Sequence, residues 1–308
     1  MKPLIVITGP TASGKTNLSL LLAKKIASQI ICADSMQIYK YMDIGTAKIR
    51  SQERKIIKHY MIDEVEPDED FSVAQYQDKV KKYLDIIYSN NSVPILCGGT
   101  GFYINAILYD NDFFNEHKDL SLRNELYNLT NKQLQEKLFE IDFESAKSIH
   151  PNDKKRMVRA IEFFYQNGQK ISHHNSLQKQ NAINYNTLFI ILNLPRQILY
   201  EKIEERVDKM IEVGLVDEVE KLLNMGYDKN LNSMQAIGYK EIIMYLQKQI
   251  SLDEAIKLIK KNTRHYAKRQ LTWFRHQTNG IWIEKNDFAN GNEISDYVFE
   301  LYRKKFEV

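Results

Sequence analysis

The 308-residue sequence predicts an α/β fold in which a parallel β-sheet is flanked by helices and interrupted by a helical insertion. Short continuous apolar runs, the first of them Leu4 to Ile7, are typical of strands that a parallel sheet buries on both faces. Segments with apolar residues at helical spacing alternate with these runs, as in strand–helix–strand units. Between about 112 and 186 the chain is rich in Asn, Lys, Gln and Glu and lacks strand-like runs. We therefore expect a core at 1–111, completed with C-terminal helices at 187–308, and an insertion at 112–186.

The individual elements of the core follow from the same patterns. The run LIVI is followed by Leu18, Leu22 and Ile26 at helical spacing, which predicts a strand, a loop and a helix. QIICAD, VPILCGG and LFIILNLP predict further strands, and FSVAQYQDKVKKYLDIIY predicts a helix between two strands. After Pro195 the apolar spacing is helical almost to the end of the chain. The one linker-like stretch is SHHNSLQKQNAINYN.

The composition indicates a folded protein and excludes several classes of function. Hydrophobic residues at 43% and charged residues at 27% argue against a disordered or fibrous chain. A net charge of +3 is too small to indicate a nucleic-acid partner by itself. Cys32 and Cys97 cannot form a four-ligand zinc site or a disulfide framework, so we expect buried, reduced thiols. No run approaches the roughly 18 apolar residues that cross a membrane, and we expect a cytoplasmic monomer with no membrane partner.

A phosphate-binding loop is the most specific single motif. GPTASGKT matches G-x-x-x-x-G-K-[ST] and lies between the first strand and the first helix, which predicts a P-loop NTPase-like core. Inward-facing amides and the helix N-terminus would bind an anion, Lys15 would add a charge, and the Thr16 hydroxyl is placed to bind Mg²⁺. ATP, GTP or any diphosphate would fit such a loop. The expected phosphate-binding residues are Gly9, Pro10, Thr11, Ala12, Ser13, Gly14, Lys15 and Thr16.

Polar residues follow two other predicted strands. Asp34 comes where the second apolar run ends, which in a parallel sheet is the edge where ligands bind. It is a candidate general base, although an N-cap for a turn or an indirect contact to magnesium would also explain it. Ser35 and Gln37 offer donors and acceptors suited to a base edge or a sugar hydroxyl, or are ordinary loop polarity. Thr100 lies within PILCGGTGFY, a glycine cluster that by itself is a weak signal.

Two basic helical faces are also predicted. HPNDKKRMVRAIEFF begins with a turn or cap and places Lys155, Arg156 and Arg159 on one side of a helix. NTRHYAKRQLTWFRHQ places Arg264 and other cations on a second helix, close to two aromatic residues. Each face alone is well explained as a charged helix surface that is exposed to solvent. Together with a phosphate loop they favour a polyanionic partner, because phosphate contacts supply most of the sequence-independent affinity for nucleic acid.

Taken together, these segments closely resemble the tRNA dimethylallyltransferase family, also called tRNA isopentenyltransferase. GPTASGKT, DSMQIYKYMDIGTAK, GGTGFYI, HPNDKKRMVRAIEFF, IGYKE and AKRQLTWFR occur in the order found in the family and cover nearly the whole chain. The resemblance implies that a dimethylallyl group moves from dimethylallyl diphosphate to N6 of the adenosine immediately 3′ of the anticodon in tRNA, with release of diphosphate.

The resemblance also implies residue roles. The phosphate loop would hold the diphosphate of the donor, Asp34 would be the general base toward N6, and Thr100 and Arg206 would complete the catalytic residues. The residues expected to contact tRNA are Asp34, Ser35, Met36, Gln37, Thr100, Arg123, Lys155, Arg156, Met157, Val158 and Arg159.

The chain departs from the family pattern at a few positions. Tyr41 stands where glycine is common, and Tyr60 where a second histidine is frequent. The zinc finger of many eukaryotic members is not present, which predicts a bacterial-type enzyme. Two other functions would use the same loop: a small-molecule kinase that consumes ATP, and a nucleotide-gated RNA-binding module without covalent chemistry.

Overall fold

The computed structural model describes residues 1–113, 120–178 and 180–307, with only the backbone of residue 120. The chain divides into a core unit, Met1–Leu108 with Asn184–Val308, and a second unit, Tyr109–Ile183. The backbone N–H of Asn184 donates to the carbonyl of Leu108 at 2.9 Å, where the chain leaves and re-enters the core. The second unit begins and ends three residues before the insertion predicted at 112–186.

The core unit contains a six-stranded sheet in which every pair of neighbours is parallel, in the order β3-β2-β4-β1-β5-β6. The predicted α/β fold is therefore confirmed. Ile5 of the first strand pairs with Ile95 on one side and Leu188 on the other, so the strand that leads to the phosphate loop lies inside the sheet. The strands are β1 Pro3–Thr8, β2 Ile30–Cys32, β3 His59–Tyr60, β4 Ile95–Cys97, β5 Asn186–Asn193 and β6 Ile281–Glu284.

Helices follow the strands in the first half of the core. Ser72 caps the longest of them, because its side chain accepts a hydrogen bond from the backbone N–H of Gln75. That helix lies in the segment where helical spacing was predicted, and its buried side chains recur at threes and fours. The helices of this half are α1 Lys15–Lys25, α2 Ser51–Ile56, α3 Val73–Ser89 and α4 Gly101–Leu108.

In its described part, the second unit is helical. Leu126, Leu134, Leu138 and Ile161, each fully buried, form its separate hydrophobic core with Ala146 and its neighbours. The helices are α5 Leu120–Asn128, α6 Asn131–Ile141, α7 Phe143–Ser148, α8 Lys154–Asn167 and α9 Ile171–Gln178.

The chain then completes the core with strand β5 and a further set of helices. The last helix packs against α1, and its Ile294 and Val298 join the core cluster built on the sheet. No helix within the described residues combines the length and apolarity needed to cross a membrane. The helices are α10 Arg196–Glu212, α11 Leu215–Asn224, α12 Tyr239–Leu246, α13 Leu252–Gln277 and α14 Gly291–Phe306.

Three elements differ from the sequence predictions. The strands β3 and β6 were not predicted, since β3 has two residues and β6 is a four-residue strand at the sheet edge, within a region of helical spacing. The stretch predicted as a linker begins instead with α9, and Lys179 of that stretch lies outside the described residues. The buried Asp142 fixes the start of α9, because its carboxylate accepts from Ser172 N at 3.0 Å and from Ser172 Oγ at 2.6 Å.

Candidate active site

The phosphate loop connects β1 to α1 through backbone conformations that favour glycine. Gly9 has φ 145° and Gly14 has φ 97°, and Ala12 between them also has a positive φ of 65°. A Cβ atom on Gly9 would lie 2.3 Å from the carbonyl oxygen of Leu192 in β5. Glycine is therefore required at position 9 both for the backbone angle and for the close approach of the neighbouring strand.

Lys15, the first residue of α1, is a partly buried cation of this loop. Its Nζ donates to the carbonyl of Pro10 at 2.8 Å. Burial, reinforced by the charge of Arg206, lowers the pKa of Lys15 to about 8 against the opposing effects of Cys97 and Asp34. An anion in the loop would offset this desolvation. The buried Ser13 Oγ has no hydrogen-bond partner among the described residues and is a further group that an anion could satisfy.

Gln270 of α13 ties the phosphate loop to the end of β4. Its Oε1 accepts from the Thr11 backbone N–H at 2.8 Å, and its Nε2 donates to the Gly99 carbonyl at 2.9 Å. The side chain is buried, with 6% of the residue exposed. A buried amide that is bonded at both ends holds the two segments at a fixed separation.

Asp34 lies just beyond the end of β2. Its Oδ1 accepts from the Met36 backbone N–H at 2.9 Å, so the carboxylate does stabilise a local turn, as one of the alternative interpretations required. Burial raises the pKa of Asp34, and this effect outweighs the hydrogen bonds from Met36 and Gln37 and the charge of Lys15. A carboxylate with a raised pKa is a stronger base, which suits proton transfer.

Thr100 and Gln37 are bonded to the same region. Thr100 Oγ1 accepts from the Ser35 backbone N–H at 3.1 Å, which joins the segment after β4 to the segment after β2. Gln37 Oε1 accepts from the Cys32 thiol at 3.4 Å, and Gln37 Nε2 donates to the Thr46 carbonyl at 3.1 Å. Both thiols are free and buried as predicted, and burial raises the pKa of each, which keeps them protonated.

Two adjacent cavities meet at these residues. The first, of about 330 Å³, is lined by the phosphate loop and by the ends of β2 and β4. The second, of about 380 Å³, has Ser35 and Met36 in its wall and a more apolar lining. Asp34, Arg206 and Tyr266 line both. Groups that face both cavities are placed to act on ligands from either side.

Arg206 of α10 approaches the phosphate loop from outside the sheet. Its Nη1 donates to Thr11 Oγ1 at 3.5 Å, and burial lowers the pKa of its guanidinium. The core unit thus brings together the phosphate loop, Asp34, Thr100 and Arg206, as well as Ser35, Met36 and Gln37.

The remaining predicted residues lie in the second unit. Arg123 forms a two-point ion pair with Glu162, with Nε–Oε1 at 2.6 Å and Nη2–Oε2 at 2.8 Å. Because Glu162 is 2% exposed, this pair belongs to the core of that unit. Met157 and Val158, each 1% exposed, also pack there, so their side chains do not present a contact surface for RNA.

Lys155 and Arg156 are exposed on α8, whose first turn is capped by Asp153 as predicted, and Arg159 is partly exposed. On α13, Arg264 pairs with Glu204 and Phe274 is fully buried, whereas Lys268, Arg269 and Arg275 are exposed. The predicted basic face of α8 is therefore largely exposed, whereas part of that of α13 is occupied by internal contacts.

Sequence reasoning missed two residues of the site, Gln270 and Tyr266. Both lie in NTRHYAKRQLTWFRHQ, which was interpreted from its lysines and arginines as a basic helical face. Gln270 falls three residues after Ala267 and four before Phe274, both buried, so it is an uncharged polar residue on the apolar face of the helix. That placement was the available signal, because a buried amide must find hydrogen-bond partners.

The lowered pKa of Lys15 predicts a pH dependence of anion binding. Below pH 8 the ammonium is charged, and above it the free protein must take up a proton to bind a diphosphate through this group. At pH 9 the wild type should therefore bind inorganic diphosphate about tenfold more weakly than a variant whose side chain at position 15 stays charged. Calorimetric titration of the wild type and of Lys15→Arg from pH 7 to 9.5 measures this. Parallel pH profiles for the two proteins would contradict it.

Comparison with known families matches residues 37–277 to a family described as IPP transferase. A tRNA dimethylallyltransferase of Lachnoclostridium phytofermentans is 48% identical over 309 residues, covering 99% of both chains. The enzyme of that name from Acetivibrio thermocellus is 49% identical over 298 residues, covering 96% of this chain and 95% of the other.

Solved structures give the same result. A tRNA isopentenylpyrophosphate transferase of Staphylococcus epidermidis has a TM-score of 0.74 and 41% identity, with 99% of this chain and 100% of the other covered. A eukaryotic dimethylallyltransferase acting on tRNA has a TM-score of 0.79 and 27% identity, covering 99% and 77%. The family match covers most of this chain, and the relatives align along nearly all of it. This chain therefore belongs to the IPP transferase family.

Proposed function

We propose that this protein transfers a dimethylallyl group from dimethylallyl diphosphate to N6 of the adenosine immediately 3′ of the anticodon in tRNA. The observation that carries the proposal is the position of Asp34 on the wall shared by the two cavities, with the phosphate loop on one side. The names of the relatives, which act on tRNA as dimethylallyltransferases, support it.

The first cavity suits the donor diphosphate. Backbone amides of the loop, the ammonium of Lys15 and the guanidinium of Arg206 surround it with positive charge. When the allylic C–O bond breaks, negative charge grows on the diphosphate oxygen that leaves. Because Lys15 and Arg206 are already fixed and desolvated, they stabilise that charge without reorganising.

Magnesium fits the same cavity. Thr16, at the start of α1 beside Lys15, offers a hydroxyl oxygen, a type of ligand that this ion accepts. A magnesium ion held by Thr16 and the diphosphate would supply additional charge stabilisation to the leaving group.

The second cavity suits the target base. Asp34, Ser35 and Met36 line it, and the adenosine must leave its stack to enter, at a cost of a few kcal/mol. Asp34, partly buried and with a raised pKa, accepts the N6 proton as the new C–N bond forms. The exposed cations of α8 contact the phosphate backbone of tRNA, and these contacts help to offset the cost of unstacking.

The choice among three functions can be made in one assay. Unmodified tRNA, Mg²⁺ and dimethylallyl diphosphate labelled in the allyl group are incubated with the protein, with and without ATP. We expect label in tRNA at the same rate in both samples. A small-molecule kinase would consume ATP and leave tRNA unlabelled, and tRNA binding with neither label transfer nor ATP consumption would favour an RNA-binding module.

Asp34→Asn isolates the proton-transfer role. Asparagine keeps an oxygen that can accept from Met36 N, so the turn is preserved while the base is lost. We expect tRNA affinity to stay within about twofold while the single-turnover rate falls by about 10²–10⁴-fold. Filter binding and rapid-quench transfer measure the two quantities, and a normal single-turnover rate would rule out Asp34 as the base.

The exposed cations of α8 are tested by salt dependence. The double substitution of Lys155 and Arg156 to alanine should weaken tRNA binding and reduce the slope of log K against log salt by about two. Lys170→Ala, an exposed lysine of the same unit just beyond α8, is the matched control and should change the slope by less. Equal slopes for the double variant and the wild type would remove α8 from the tRNA interface.

A further inference from the structure

The loop at residues 43–48, which carries Thr46 and Ala47 into the walls of both cavities, is held by charged groups that the proposed chemistry does not use. The loop lies between Gln37 and α2 along the chain. It has no helix or strand of its own, so its backbone needs partners from elsewhere in the core unit.

Glu218 of α11 supplies those partners at the start of the loop. Its Oε2 accepts from Asp43 N at 2.9 Å and from Ile44 N at 2.8 Å, and its Oε1 accepts from Gly45 N at 3.1 Å. Three consecutive amides thus converge on one carboxylate, in the arrangement that otherwise binds a free anion. Bonds to an ionised acceptor are stronger than bonds between neutral groups.

Tyr239 of α12 completes the anchor. Its hydroxyl donates to Glu218 Oε1 at 2.6 Å, and its side chain is fully buried. A Cβ atom on Gly45 would lie 2.4 Å from the Tyr239 ring, so the loop backbone lies directly against the aromatic face. Glu218 is therefore bonded on both oxygens and has little freedom to rotate.

Lys48 holds the other end of the loop. Its Nζ donates to the Tyr39 carbonyl at 2.8 Å, to Asp43 at 2.7 Å and to Asp63 at 2.6 Å, and its side chain is 1% exposed. Asp43 thus connects the two anchors, because its backbone N–H bonds Glu218 and its carboxylate bonds Lys48. The conformation between them is fixed from both sides.

The fixed loop in turn orients Gln37. The Thr46 carbonyl accepts from Gln37 Nε2 at 3.1 Å, while the Thr46 hydroxyl donates to Met42 O at 2.6 Å. With the Cys32 thiol on its oxygen, the Gln37 amide is bonded at both ends. A primary amide has two N–H donors and an oxygen that accepts twice, so each end keeps one position for a ligand.

We propose that Glu218 is a positioning residue for the target base, acting through the 43–46 backbone on Gly45 and Thr46 in the wall of the second cavity. The inference rests on the proposed function, since it concerns how the adenine side of that site is fixed. Without the carboxylate, three amides lose their acceptor, and Gly45 and Thr46 no longer hold one defined position in that wall. The phosphate loop is held separately by Gln270, so diphosphate affinity should change little.

Glu218→Gln is the main test, because glutamine keeps the size but loses the charge and turns an amide toward the three N–H donors. We expect at least about tenfold lower kcat/KM for tRNA in the transfer assay, with inorganic diphosphate affinity within about twofold of wild type. Amide hydrogen exchange at 43–46 should accelerate by at least about tenfold. The matched control is Glu220→Gln, an exposed glutamate on the same helix, which should change none of these.

Two milder variants keep the test decisive if Glu218→Gln folds poorly. Tyr239→Phe removes one bond and leaves the carboxylate, and should cost no more than about threefold. Glu218→Asp keeps the charge on a shorter side chain and should restore part of the lost kcat/KM. Wild-type tRNA kinetics in both Glu218 variants, or an equal loss of diphosphate affinity, would overturn the positioning role. A wild-type protein that transfers no label to tRNA would instead refute the proposed function.

Discussion

Parallel pairing of β2, β4 and β1 brings three chain segments to one edge of the sheet. Cys32 pairs with Cys97, and Ile7 of β1 pairs with Cys97 on the other side, so the segments that follow these strands begin side by side. The phosphate loop, the turn at Asp34 and the segment of Thr100 are those continuations. Their proximity depends on strand register, and a shift of one residue would turn the alternating side chains to the opposite face.

The site contains several ionisable groups that are shielded from water. Lys15, Asp34 and Arg206 are all shifted toward their neutral forms by burial, and the two thiols are held protonated. Such groups would be costly in a core built only for stability. An anionic donor would compensate the cations, and a base with a raised proton affinity suits the removal of a proton from an amine. Protonated thiols are also poor nucleophiles, which would protect them beside the proposed allylic donor.

Polar side chains from distant helices complete this edge. Gln270 joins the phosphate loop to Gly99, and Glu218 gathers the amides that precede Thr46. In both cases one buried or half-buried side chain satisfies backbone groups that no strand or helix could pair. The phosphate loop and the 43–48 loop are thereby fixed by different helices, α13 and α11.

Much of this protein could be predicted from sequence because the information is local. Apolar runs and helical spacing fix the parallel sheet, the spacing of Gly9, Gly14 and Lys15 fixes the phosphate loop, and the ends of the strands locate Asp34 and Thr100. The motifs in their order are also enough to indicate the family. β3 has only two residues and β6 lies in a region of helical spacing, so only pairing within the sheet defines them.

The tertiary structure alone decided which candidate residues line the cavities and which are internal. Arg123, Met157 and Val158 matched a pattern expected to contact tRNA, yet Glu162 and the helical core of the second unit occupy their side chains. In the sequence, Gln270 and Glu218 are ordinary polar residues. Each holds a loop in place because folding brings backbone N–H groups from far along the chain within hydrogen-bond distance. The position of Gln270 on an apolar helix face indicates that it needs a partner, but a partner more than 170 residues away is not identified by any local pattern.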